Sequence, residues 1–169
     1  MKTALVNENI LSLIKQLESK DGYRRELVRE ALVAIGKPAV PMLIELLMHR
    51  KSIVRWEACK TLGEIKHPAA APALVTVLED ENIDVQWAAA EALIALESNA
   101  LVPLLTALVF RFDSPYLKQG AIHILRALKR EHLLNQKLLE VLNTLKVFGP
   151  RIAIPIAAQQ ALNSIRKSG

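Results

Sequence analysis

The sequence predicts an all-α fold, a right-handed α-α superhelix of about ten helices, and three observations carry that prediction. The first is composition: Leu and Ala number 28 and 22 of the 169 residues, while aromatic residues make up only 4%. Leu and Ala are strong helix formers, and a β-rich fold would need more of the branched and aromatic side chains that suit a pleated surface. The second is an internal repeat. Val54-Arg55-Trp56-Glu57-Ala58 returns 31 residues later as Val85-Gln86-Trp87-Ala88-Ala89, and a period of about 20–50 residues marks stacked repeat architectures. The third is spacing: apolar residues of each first helix fall at i, i+4, i+8 and i+11, one face at 3.6 residues per turn.

The elements follow in order, and the chain reads as one domain, residues 1–169. A half-unit at 7–20 opens it, with a helix of the second type over 7–18. Four two-helix repeats follow at 21–50, 51–81, 82–113 and 114–148. In their first helices, Leu62 and Ile65 recur as Leu93 and Leu96, and upstream as Leu32 and Ile35. Further on, Val85, Ala89, Leu93 and Leu96 become Leu117, Ala121, Leu125 and Leu128. Asp21, Ser52, Asn82 and Ser114 stand where helix N-caps are needed, the last followed by Pro115 at a first-turn position. Pro-containing connections come next (Gly36-Lys37-Pro38, Lys66-His67-Pro68), since proline is poorly tolerated inside a helix. The second helices open with Pro41, Pro72 or Pro103. Their core sides are Leu43/Leu46/Leu47, Leu74/Val77/Leu78 and Leu105/Leu108/Val109. A half-unit at 149–169, with Ile154, Ala158, Leu162 and Ile165 at the first-helix spacing, is expected to close the array without a partner.

The run from Lys66 to Leu93, KHPAAAPALVTVLEDENIDVQWAAAEAL, resembles the HEAT-like repeat named after the phycobilisome (PBS) lyase subunits. Leu-Gly-x-Ile at Leu62–Ile65 stands just before it, and the run itself has a Pro loop, Pro-Ala-Leu at Pro72–Leu74, an acidic turn and Ala-Ala-x-x-Leu at Ala89–Leu93. The resemblance spans Asp21 to Ile165. It implies a HEAT-like solenoid, armadillo-like in its helical stacking, and leaves function open. The chain departs from the pattern where an Asp often precedes the loop proline, which is Lys37 and His67 here. Arg55 is matched by Gln86 and Lys118, which argues against a continuous Asp–Arg ladder.

Several function classes are disfavoured. Glu8 and Lys15 interrupt the N-terminus where a secretory signal needs an apolar run. The longest charge-free stretches, 68–78 and 98–110, fall short of the ~18 residues needed to cross a bilayer. The expected setting is therefore cytoplasmic, with no membrane contact. A lone cysteine, Cys59, excludes a disulfide framework and a thiolate metal cage. It occupies a packing slot filled by Ala90 in the next repeat.

His49, His67, His123 and His132 are scattered and expected on the surface, and no two stand at i, i+4 as a helical zinc pair requires. HEAT-like hydroxylases use His-Glu dipeptides, and the pair here is reversed, Glu131-His132. No Gly-rich phosphate loop or serine elbow exists. The chain is thus expected to be no enzyme, with no catalytic, cofactor-binding or metal-binding residues.

Two surface features remain. Removing the core positions of the second helices leaves Ile44, Glu45 and Met48, then Val75, Thr76 and Glu79, then Thr106, Ala107 and Phe110. Stacked second helices make these a concave strip, the surface that solenoids use for binding. Its flanks carry His49, Arg50, Lys51 and Arg111. The other feature is an outer-face patch of Trp56 and Trp87, about 200° around the helix from the core residue, with Ile94 seven residues beyond Trp87.

The formal charge is +5. Residues 1–84 hold 12 basic and 12 acidic side chains, and residues 85–169 hold 10 and 5, so the excess sits in the C-terminal half. The reading is a non-catalytic protein-interaction scaffold that takes a protein partner, an acidic one, on the concave face, in an oligomeric state the sequence leaves open. Its alternatives are a bilin-lyase subunit or phycobilisome-handling factor and a nucleic-acid-binding protein. The last is disfavoured because Glu45 and Glu79 interrupt the strip where a phosphate track needs cations.

Overall fold

Ten α-helices appear among the residues described by the computed structural model, 2–147 and 152–168, with side chains described over 6–147 and 152–167. The first-type helices are α2 (Gly22–Ile35), α4 (Ser52–Ile65), α6 (Ile83–Ala95) and α8 (Pro115–Arg130). Alternating with them are α1 (Lys2–Gln16), α3 (Val40–Leu46), α5 (Ala71–Val77), α7 (Leu101–Phe110) and α9 (Gln136–Lys146), and α10 (Ala153–Ser168) ends the chain. No strand occurs among the described residues. The first helix extends N-terminal of the predicted residue 7. The boundary expected at 148–149, and the first residues of the closing helix expected from 150, lie outside the described residues.

Local chemistry explains the helix ends. Asp21 accepts the Tyr23 and Arg24 backbone N–H groups, Asn82 those of Asp84 and Val85, and the Ser114 hydroxyl that of Leu117. Ser52 does not cap. Helix α4 begins one residue earlier than expected, so its N-cap is Lys51, which contributes no side-chain bond. Asn135, unnoticed in the sequence, caps α9 through the Leu138 N–H at 3.0 Å. The helices α2, α4 and α6 give way to 3-10 turns at Lys37–Ala39, Pro68–Ala70 and Glu97–Ala100. Each passage turns on a residue with positive φ: Gly36 at 71°, Lys66 at 56° and Glu97 at 53°. Only the first is glycine, although the left-handed region costs other residues roughly 1–2 kcal/mol.

The layers stack as the repeat requires. Helix α4 packs on α2 and α6, and α6 on α8, while α3, α5 and α7 pair with them from the other layer. Continuous burial runs from Ile10 and Leu17 through Leu32, Leu62, Leu93 and Leu125 to Leu162. Helices α4 and α6 come close at Gly63: a Cβ built there would lie 2.9 Å from the Ala92 Cα. Small side chains let α4 and α6 approach that far.

The closing helix departs from expectation. Helix α10 packs on α7 and α9 and hardly touches α8. It takes the next place in the second layer, and it has two partners where none was expected. Its buried stripe, Ile154, Ala158, Ala161 and Leu162, has the spacing of a first-type helix. An amphipathic stripe records only that one face is buried, not which layer receives it. Helix α9 buries its single apolar face, Leu138, Val141, Leu142 and Leu145, against α8 and α10.

Candidate functional site

Most ion pairs among the described residues join one repeat to another. In three successive units, the residue at one register position reaches a backbone carbonyl six residues back. Arg25 donates to the Ser19 carbonyl at 2.8 Å, Arg55 to that of His49 at 2.8 Å, and Gln86 to that of Asp80 at 2.5 Å. Gln86 thus preserves the carbonyl bond while dropping the charge. Arg55 also forms a two-pronged pair with Asp80, at 2.7 and 2.8 Å, the geometry that a guanidinium favours with a carboxylate. Those hydrogen bonds raise the Arg55 pKa against the opposing effect of burial.

Glu57, buried on α4, accepts from Arg25 at 3.0 Å and Arg29 at 2.9 Å on α2, and Arg29 reaches on to Glu64 at 3.0 Å. Burial by itself would lower the Arg29 pKa, and Glu57 with Glu64 outweighs it, leaving the guanidinium above its ordinary value. No buried side-chain nitrogen or oxygen among the described residues lacks a partner.

The histidines are less exposed than the sequence suggested. His49 is half-buried, with Nε2 3.3 Å from Glu18. His67 Nδ1 accepts the Ala69 N–H at 3.3 Å, capping the 3-10 turn that begins at Pro68. His123 stands 2.8 Å from Glu91 and against Trp87. His132 is exposed. Burial pushes the Cys59 thiol up to about 12, with the Asp80 charge adding to it, so the group is a packing residue without nucleophilic character at neutral pH. Among the described residues, no cluster of three or more His, Cys, Asp or Glu side chains could hold a metal ion. No helix among the described residues is long and apolar enough to cross a membrane.

Exposure along the second-helix strip is uneven, and two of its residues are corrected. Met48 and Phe110 are each 78% exposed, Glu45, Thr76 and Thr106 are exposed, and Ile44 and Glu79 are half-buried. Val75 and Ala107 are buried. Helix α7 lies against α5 and α10, and α5 against α6 and α7, so more of their circumference is covered than a single core stripe predicts. Around Phe110 a shallow groove of about 440 Å³ runs between α5 and α7, lined by Pro72, Val102, Pro103 and Thr106. The basic flanks are largely compensated: Lys51 and His49 meet Glu18, and Arg111 meets Glu79. Lys51 holds the Glu18 carboxyl below its ordinary range. Arg50 is exposed without an ion-pair partner among the described residues.

The outer-face patch does not act as a unit. Trp56 is half-buried against the core, with the Lys60 ammonium 4.5 Å from its ring centre. Ile94 is likewise packed on the core. Trp87 is 59% exposed, its ring 4.4 Å from that of His123 at a 38° tilt. Helices α4 and α6 are tightly apposed, while the side of α6 towards α8 opens into a groove. That groove, of about 1120 Å³, is lined by Ile83 and Trp87 of α6, Tyr116, Lys118 and Arg126 of α8 and Lys146 of α9. The sequence offered Trp87 as its only signal, because Tyr116, Lys118, Arg126 and Lys146 come from the next repeat and meet it only in the fold.

A family model of HEAT repeats matches residues 10–94, just over half of the chain. No curated protein matches the sequence. Among solved structures, the chain is similar to the crystal structure of an engineered protein, a Northeast Structural Genomics Consortium target. That likeness is 20% identity over 99% of this chain and 85% of that one, with a TM-score of 0.44.

Proposed function

From the premise that the chain belongs to the HEAT-repeat family, a fold that generally serves as a protein-interaction scaffold, we propose that it is a non-catalytic scaffold gripping a partner protein on its second-helix face. The observation that carries this reading is the exposure of Met48 and Phe110, 78% each, at corresponding positions two repeats apart. Two large apolar side chains left in water hold about 25 cal/mol per Å² of exposed apolar area in reserve. A partner helix laid across α3, α5 and α7 would bury both, by the helix-in-groove mode. Thr76 and Thr106 donate to backbone carbonyls of their own helices, at 3.4 and 2.8 Å. They therefore offer smooth contact surface between the two anchors. With Lys51, His49 and Arg111 already paired, apolar contact rather than charge supplies most of the attraction. Kinship with the phycobilisome-lyase type rests on the Lys66–Leu93 motif, and among the described residues no cluster of side chains adds support for bilin handling or for a phosphate track.

The test is the double substitution Met48→Glu with Phe110→Glu, assayed by pull-down against the protein that co-purifies with the native chain. Binding should be lost with the melting temperature unchanged, since both side chains are exposed. Binding that survives this change and is abolished by Trp87→Ala would place the partner on the other layer and overturn the assignment.

A further inference from the structure

The groove between α6, α8 and the end of α9 combines two properties that the second-helix strip lacks together. It is apolar at its edge: Ile83, Trp87 and Tyr116 are 72%, 59% and 54% exposed. It is also cationic. Lys118, Arg126 and Lys146 line it, and none has an ion-pair partner among the described residues. Its lining carboxylate is Asp113, and His123, also in the lining, is engaged by Glu91. The C-terminal half carries the whole +5 of the chain, so the local imbalance is reinforced by its surroundings.

We propose that this groove is a docking site for an acidic segment of a partner protein, one that carries an aromatic or aliphatic anchor among its carboxylates. The anchor lies on the open edge formed by Ile83, Trp87 and Tyr116, where burial of aromatic side chains contributes most to an interface. The carboxylates meet Lys118, Arg126 and Lys146, which speed the encounter and fix its register. A nucleic acid fits less well. Charge sits on three side chains around an apolar patch rather than along a track, and His123 already lies against the Trp87 ring that would stack a base. The site is separate from Met48 and Phe110 and does not depend on that reading.

The experiment is a selection of random displayed peptides of about twelve residues, a length that spans such a groove, on the full chain. Enriched sequences should carry Asp or Glu around an aromatic residue or Leu. A synthetic peptide of the enriched sequence should shift the emission of Trp87 in a Trp56→Phe background. Its affinity should fall with rising NaCl, as exposed charge pairs are screened. Lys118→Glu with Arg126→Glu should weaken it at least about tenfold, while Met48→Glu with Phe110→Glu leaves it within about twofold. Lys118→Gln with Arg126→Gln, a milder change for the fold, should weaken it in the same direction. The proposal is overturned by failure to enrich acidic peptides, or by binding that survives both charge variants. It is equally overturned if a labelled oligonucleotide of about twenty nucleotides shifts Trp87 while the acidic peptide does not.

Discussion

Glu57 joins two arginines of the preceding repeat from a fully enclosed position, and that makes its carboxylate a different object from the exposed acids around it. Glu57→Ala would strand Arg29 in a site where its remaining partners are the more exposed Glu26 and Glu64. Breaking one side of a buried pair costs about 3–5 kcal/mol, and with Glu64 left in place the lower end, about 3 kcal/mol, is expected from urea unfolding. Glu81→Ala removes an exposed acid 3.3 Å from Arg55 and should change stability by less than about 0.5 kcal/mol. Equal effects would mean that the Glu57 site is open to water. Cys59 supplies a second check at this scale. Its thiol, raised to about 12 by burial, remains protonated at pH 8. The native chain should therefore resist alkylation at that pH and react only on unfolding. Rapid labelling of the folded chain would contradict the packing of α4. The lone cysteine and its alanine counterpart made this burial legible in the sequence. The partners of Glu57 were not, because Arg25 and Arg29 lie 32 and 28 residues away and only the stacking of α2 on α4 brings them near.

Two glycines inside helices separate propensity from packing. Glycine in a helix interior is about 1 kcal/mol worse than alanine, so Gly→Ala should stabilise wherever there is room. At Gly120 a Cβ would meet the Leu78 side chain at 3.0 Å, and a give of a few tenths of an ångström by that side chain admits it. Gly120→Ala should therefore leave the melting temperature equal or slightly higher. At Gly63 the neighbour is the Ala92 backbone at 2.9 Å, which cannot move without shifting α6. Gly63→Ala should be destabilising by about 1–3 kcal/mol, the usual range for overpacking. A thermal melt of the two variants decides it, and a stabilised Gly63→Ala would mean that α4 and α6 are farther apart than described. Helix positions were readable from the sequence because proline, glycine and apolar periodicity are local signals. The layer of α10 was not, because its stripe of Ile154, Ala158 and Leu162 would suit either layer. What assigns it to the second layer is contact with α7 and α9.

Across the whole molecule, the 31-residue period makes one repeat removable in principle, since each unit buries its core mainly against its neighbours. Deleting 52–82 joins Lys51 to Ile83 and sets α6 in the place of α4. Val85 and Leu93 then replace Val54 and Leu62, but Ala88 replaces Glu57, leaving Arg25 and Arg29 without their shared acid. The deleted chain should keep a helical circular-dichroism spectrum and melt lower than the full chain, and adding Ala88→Glu should recover part of the loss. Loss of the helical signal at room temperature, or no recovery, would show that repeats are not interchangeable here. The sequence by itself determined the all-helical class, the period, most helix caps and the core stripe, because these depend on interactions within a few turns of chain. Only the tertiary structure decided which surface residues share a site. Met48 with Phe110, and Trp87 with Tyr116, Lys118 and Lys146, come from separate repeats. Stacking geometry, not sequence spacing, sets the distances between them. It likewise buried Val75 and Ala107, because the helices packed on α5 and α7 cover more of their circumference than their own periodicity records.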